Sequence, residues 1–210
     1  MGIVVSYILV PFIVALIASV WVFPLILRIA LNKNIVDNPD ARKLQRVPVP
    51  VLGGMVVMFG ILVALCVCHL FVDCSSLFTI VLAMSIMLYV GTMDDILDIS
   101  SVLRFFLEIL VALMIIYTCD YSIDNLHGLW GVYSLSPYIG LPLTIVTIVG
   151  IVNAINLIDG IDGLASSICI VALGIFGLIF LFDHMWILSL LAFTCVGVLI
   201  PFFIYNVFGS

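Results

Sequence analysis

Residues 139–163 read IGLPLTIVTIVGIVNAINLIDGIDG, an almost unbroken apolar run that closes on four polar side chains at three-residue intervals, Asn153, Asn156, Asp159 and Asp162. About 20 apolar residues suffice for a helix to cross the hydrocarbon core of a bilayer, so 139–158 is predicted to be a membrane helix. Helical structure is the physical choice because lipid cannot satisfy open backbone N–H and C=O groups.

Working outward, comparable runs lie at about 3–27, 51–72, 76–93, 102–119, 164–182 and 185–205. The expected fold class is therefore an all-α integral membrane protein with about seven transmembrane helices, residues 1–210 forming a single polytopic membrane domain. Composition points the same way. Hydrophobic residues make up 66% of the chain and charged residues 9%, against roughly 45–50% and about 25% in soluble domains. The first run has no basic segment before it and reaches about Leu27, beyond the roughly 7–15-residue core of a signal peptide, so it is expected to be retained as a span.

All six cations, Arg28, Lys33, Arg42, Lys43, Arg46 and Arg104, lie in or beside the first or the third loop. Alternating spans put both loops on one side, and the positive-inside rule makes that side cytoplasmic. The N-terminus is then outside, and the segments near 94–101, 159–163 and 206–210 are inside. The formal charge of −6 adds little, because acids contribute weakly to orientation. His69, His127 and His184 fall on the opposite face and are not candidates for catalysis. The six cysteines lack metal-site spacing and read as small packing residues. Turn residues and interfacial aromatics account for the outer loop 120–138.

Two constellations ask for chemistry. In Gly91–Asp98, GTMDDILD, three acids fall within five residues at the inner end of the third span. Carboxylates are costly near hydrocarbon; in a helix Asp94 and Asp98 stack one turn apart, with Asp95 turned by about 100°, and a cation or polar ligand would relieve their repulsion. A solvated acidic helix end is the plainer alternative. In NAINLIDGIDG, the same rotation keeps Asn153 beside Asn156 and Asn156 beside Asp159, while Gly160 and Gly163 permit a break or close ligand approach. Such oxygens suit Mg²⁺, which takes a few ligands from protein and the rest from phosphate and water. A polar seam bonding two helices is the alternative. A third patch, DNPDARK (37–43), carries Arg42 and Lys43, able to attract phosphates or to set topology. It is followed by PVPVLGG (48–54).

Together these three patches resemble the polyprenyl-phosphate N-acetylhexosamine-1-phosphate transferase family, glycosyltransferase family 4, in the branch that uses simple UDP-N-acetylhexosamines. NAINLIDGIDGLA is the most distinctive match and GTMDDILD resembles the family's paired-aspartate loop. The resemblance implies transfer of N-acetylglucosamine 1-phosphate, or a related sugar phosphate, from UDP to undecaprenyl phosphate, in the bacterial inner membrane with the active site on its cytoplasmic face. It implies Mg²⁺ as cofactor, with Mn²⁺ as a substitute, and Asn156 as a metal ligand. Asp94, Asp95, Asp159 and Asp162 are the catalytic candidates, Asp94 and Asp95 assigned to the acceptor-phosphate and metal region and Asp159 and Asp162 to positioning the nucleotide sugar or supporting the residues that contact it, while Asn153, Arg42 and Lys43 are assigned to substrate binding. The expected partners are undecaprenyl phosphate, a UDP-N-acetylhexosamine and the bilayer, with a homodimer left open and no nucleic acid. Arg104 and Glu108, four residues apart, form a candidate pair. Family members continue past a Tyr-Asn segment such as Tyr205-Asn206 into a GDxGS motif, whose aspartate is a metal ligand, and then a His-containing loop; the chain is expected to correspond to the N-terminal portion of that fold. An ion or proton transporter, or an inactive remnant, is the alternative.

Overall fold

The computed structural model describes residues 2, 5–33, 36–37, 49–50, 52–97 and 99–208. Among the described residues, seven apolar helices stand where seven spans are expected. They are α1 (Val10–Lys33, preceded by a wider turn at Val5–Leu9), α2 (Gly53–His69), α3 (Phe78–Leu97), α4 (Ser101–Cys119), α5 (Pro137–Ile158), α6 (Leu164–Phe182) and α7 (Trp186–Phe208). Between α1 and α2, Val36–Asp37 (β1) pairs antiparallel with Val49–Pro50 (β2).

Among the described residues, six helices are long and apolar enough to cross a bilayer. The chain is a multi-pass membrane protein. Helix α2 is the shorter one, at 17 residues. Its expected end at residue 72 is cut back because the chain turns after His69, whose Nδ1 accepts the Cys74 N–H at 3.1 Å. Asp73 Oδ1 then accepts the Ser75 N–H at 2.9 Å, and hydrogen bonds from Ser75 hold the Asp73 carboxyl below its usual range. Conversely, α3 runs four residues past its expected end, so Asp94 and Asp95 occupy its last turn.

The chain divides into two compact units, one formed by Met1–Phe78 with Ile158–Ser210 and the other by Thr79–Leu157. In the first, α7 packs against α1, α2 and α6 and buries more of its surface than any other span. Without a hydrophobic drive between helices in lipid, close approach depends on small residues. A Cβ at Gly60 would strike Ser19 Oγ of α1 and lie 2.6 Å from Val198 Cγ1 of α7. Glycine thus lets three helices meet. Ser189 Oγ donates to the Gly177 carbonyl at 2.9 Å, joining α7 to α6, and Phe23 stacks on Tyr205 with ring centroids 4.1 Å apart. Outward faces stay apolar, as at Ile17, Trp21, Val171 and Ile175, the pattern of helices solvated by lipid.

In the second unit, α3, α4 and α5 stand farther apart. A cavity of about 160 Å³ lies among Ala83, Met84, Met87, Val111, Ile148 and Glu108. Long side chains make the connections that close backbone packing makes in the first unit. At the far end, the 120–136 segment folds back on itself through Leu126 N–H to Tyr133 O at 2.8 Å and Leu135 N–H to Asp124 O at 2.7 Å. It is tied to α5 by the Ile123 N–H, which donates to Thr144 Oγ1 at 2.8 Å.

Candidate functional site

A carboxylate in the last turn of a helix faces the negative end of the backbone dipole, which is unfavourable by about 0.3–1 kcal/mol. Asp94 stands there at the end of α3, and α4 supplies the compensation. Helix α3 ends at Leu97 and α4 begins at Ser101. Ser100 caps α4 by accepting the Leu103 N–H at 3.3 Å, and the first turn of α4 then carries Arg104. Its Nη1 donates to Asp94 Oδ2 at 2.7 Å.

The same guanidinium serves two more groups. Arg104 Nε lies 3.7 Å from Glu108 Oε1, one turn along α4, and Nη2 donates to Asn153 Oδ1 of α5 at 3.5 Å. Asn153 Nδ2 closes the ring by donating to Glu108 Oε2 and also to the Val149 carbonyl at 2.9 Å. Three helices of the second unit are therefore joined by one network of Asp94, Arg104, Glu108 and Asn153. Glu108 is 3% exposed, whereas Asp94 and Arg104 are partly open.

Of the residues expected at the site, Asp94 and Asn153 are brought together, through an arginine. Asp95 on α3 and Asn156 on α5 are exposed. Helical geometry keeps Asn156 on the same side of α5 as Asn153. Arg42, Lys43 and Asp98 lie outside the described residues.

Asp159 and Asp162 belong to the first unit, in the turn between α5 and α6. Gly163 ends that turn with φ +74°, a conformation that glycine adopts at little steric cost. Its N–H donates to Asn206 Oδ1 of α7 at 2.5 Å, and Phe203 and Val207 of α7 occupy the space a side chain there would need. The turn is thus clamped to the last helix, with both aspartates exposed. Although Asp159 is open to solvent as a whole, the surrounding chain removes part of its carboxyl's hydration. That desolvation pushes its pKa up.

Two participants escape a reading of spacing alone. Glu108 is visible only as the i+4 partner of Arg104, with nothing to indicate its bond to Asn153. Asn206 marks the Tyr-Asn segment without revealing that it holds the Asp159–Gly163 turn.

Among the described residues, no three His, Cys, Asp or Glu side chains gather around one point. This donor set does not suit a closed structural metal site. It does suit an ion that takes one or two oxygens from protein and the others from phosphates and water.

Residues 77–210 match the glycosyl transferase family 4 profile. Among curated proteins, the chain is 28% identical over 181 residues to the undecaprenyl-phosphate alpha-N-acetylglucosaminyl 1-phosphate transferase of Salmonella typhi, covering 85% of this chain and 48% of that protein. It is 26% identical to the protein of the same name from Yersinia pestis, over 85% of this chain and 49% of the relative. The Escherichia coli K12 protein of that name gives 26% over 85% and 48%. The chain spans about half the length of these relatives. The profile match takes in both aspartate pairs, the asparagine stripe and the Arg104 network, and covers more than half of the chain. It therefore belongs to glycosyl transferase family 4.

Proposed function

We propose that the full-length protein transfers a UDP-activated N-acetylhexosamine 1-phosphate, GlcNAc 1-phosphate first among them, to undecaprenyl phosphate. The reaction would take place at the cytoplasmic face of the bacterial inner membrane and would initiate a cell-envelope polysaccharide. One observation carries this reading: the family match covers Asp94, Asp95, Asn153, Asn156, Asp159 and Asp162, and the relatives named above are transferases acting on undecaprenyl phosphate.

In chemical terms, an oxygen of the acceptor phosphate attacks the sugar-bearing phosphorus of the UDP-sugar, the bond to the bridging oxygen breaks, and UMP leaves with that oxygen. The attacking phosphate is already ionised and needs little proton abstraction. Binding and orientation are then what the chain must supply. Arg104, its planar guanidinium held by Asp94 on one side and Glu108 on the other, is suited to phosphate recognition. Asp95 and Asn156 offer oxygen donors that would hold Mg²⁺, or Mn²⁺ in its place, beside substrate phosphates. When bound, the ion neutralises the diphosphate and favours departure of UMP. Asp159 and Asp162, presented by a clamped turn, orient the nucleotide sugar, and Arg42 and Lys43 add positive charge for the phosphates.

Membranes containing the full-length protein, given labelled UDP-N-acetylglucosamine, undecaprenyl phosphate and Mg²⁺, are expected to yield labelled lipid and UMP. Asp95→Asn and Asn156→Ala are each expected to lower the rate on the order of 10²-fold. Wild-type turnover in both variants would refute the assignment of these residues.

A further inference from the structure

We propose that Glu108 is a positioning residue that fixes how Arg104 and Asn153 present themselves to substrate. This role rests on the transferase reading above.

The argument starts from the two ends of an amide. Asn153 Nδ2 faces Glu108 Oε2 and the Val149 carbonyl. An ionised carboxylate and a backbone carbonyl only accept hydrogen bonds, so the nitrogen must be the end turned towards them. Asn153 Oδ1 is then left facing Arg104 Nη2, a donor, at 3.5 Å. Rotating the amide by half a turn would set oxygen against two acceptors and nitrogen against a cation. Glu108 therefore selects one of the two orientations.

Burial gives that selection its force. Glu108 is 3% exposed and borders a cavity whose other lining side chains are apolar, among them Met84, Met87, Val111 and Val152. A carboxylate in such surroundings is costly unless it is paired and hydrogen-bonded. Its two oxygens are used separately: Oε1 faces Arg104 Nε at 3.7 Å and Oε2 accepts from Asn153. So enclosed a group has almost no surface to offer a substrate. Its influence passes through the partly open side chains it holds.

The test uses the full-length protein in membranes and in detergent. Glu108→Gln keeps the volume but loses the charge that pairs with Arg104 and the obligate acceptor that orients Asn153. Its kcat is expected to fall about 10- to 100-fold with KM for the nucleotide sugar little changed, as for other groups that orient functional side chains. Combining Glu108→Gln with Asn153→Asp exchanges amide and carboxylate while keeping the net charge, and is expected to recover part of the loss. A wild-type kcat in Glu108→Gln, or an exchange variant no faster than Glu108→Gln alone, would overturn the proposal. Thermal unfolding supplies a readout that does not depend on turnover. The Tm loss of Glu108→Ala with Asn153→Ala is expected to be smaller than the sum of the two single losses, since either change alone breaks the shared bond. Strict additivity would overturn the proposed orienting contact even if the protein proved not to be a transferase. Absence of sugar-phosphate transfer by the wild type, with the coupling present, would instead remove the function and leave the contact standing.

Discussion

Arg104 and Asp94 meet at 2.7 Å across the short turn joining α3 to α4, and the same guanidinium reaches back to the buried Glu108. Removing the arginine would strip both acids of their cation at once. Arg104→Ala is expected to destabilise the protein by up to about 3 kcal/mol, because it leaves a buried charge unpaired. Replacing both members, Arg104→Met with Glu108→Leu, is expected to restore most of the lost Tm without restoring transfer. Equal Tm for wild type and Arg104→Ala would show that the pair adds nothing to stability.

The clamp on the Asp159–Gly163 turn is expected to be strict at the glycine. Gly163→Ala meets both an unfavourable positive φ and the side chains of Phe203 and Val207, and should cost about 1–3 kcal/mol. Asn206→Ala removes the acceptor of the Gly163 N–H and should cost about 1–3 kcal/mol. Asn206→Asp keeps an acceptor and should lose less. Thermal unfolding in detergent ranks the three, and an Asn206→Ala protein as stable as the wild type would remove the clamp.

Asp159 gives a pH signature. Because its carboxyl holds a proton to higher pH folded than unfolded, the folded state binds more protons between the unfolded and the raised folded value. Stability therefore falls as pH rises through that window, and the penalty is complete above it. Asp159→Asn is expected to raise Tm at neutral pH, to leave Tm nearly unchanged at pH values below both, and to reduce transfer. A Tm difference independent of pH would argue against the desolvated carboxylate.

The small-residue junction in the first unit should resist enlargement. Gly60→Leu would push into Ser19 and Val198 and is expected to cost about 1–3 kcal/mol or more through overpacking. Gly150, with open space around it, is the control, and Gly150→Ala should be nearly neutral. Comparable losses at the two positions would refute the three-helix contact.

Orientation can be read by impermeant thiol labelling after the six native cysteines are replaced. Ser101→Cys is expected to react only from the cytoplasm and His127→Cys only from outside. Labelling of both from one side would reverse or break the alternation of spans.

Much of the architecture was legible in the linear pattern. The expected runs 102–119 and 164–182 correspond to α4 and α6 within a residue, since a bilayer demands long apolar helices and leaves few other readings. Their ends were less legible. The stop of α2 coincides with His69 reaching Cys74, and the extended end of α3 is where Arg104 of the next helix pairs with Asp94. Among the candidate residues, the asparagine stripe and both aspartate pairs stood out because polar residues are rare and costly beside hydrocarbon.

What the sequence determined by itself is therefore the set of spans and the types of oxygen donor near their ends, because both follow from local periodicity and the cost of polar groups in lipid. Tertiary structure alone decided that Asp94 is held by Arg104, that Asn153 turns its nitrogen towards a buried Glu108, and that Asn206 of the last helix secures the Asp159–Gly163 turn. Such pairings depend on the distance and rotation between helices, whether consecutive as for Asp94 and Arg104 or more than forty residues apart as for Asn153 and Glu108 and for Gly163 and Asn206, quantities that no local pattern of residues contains.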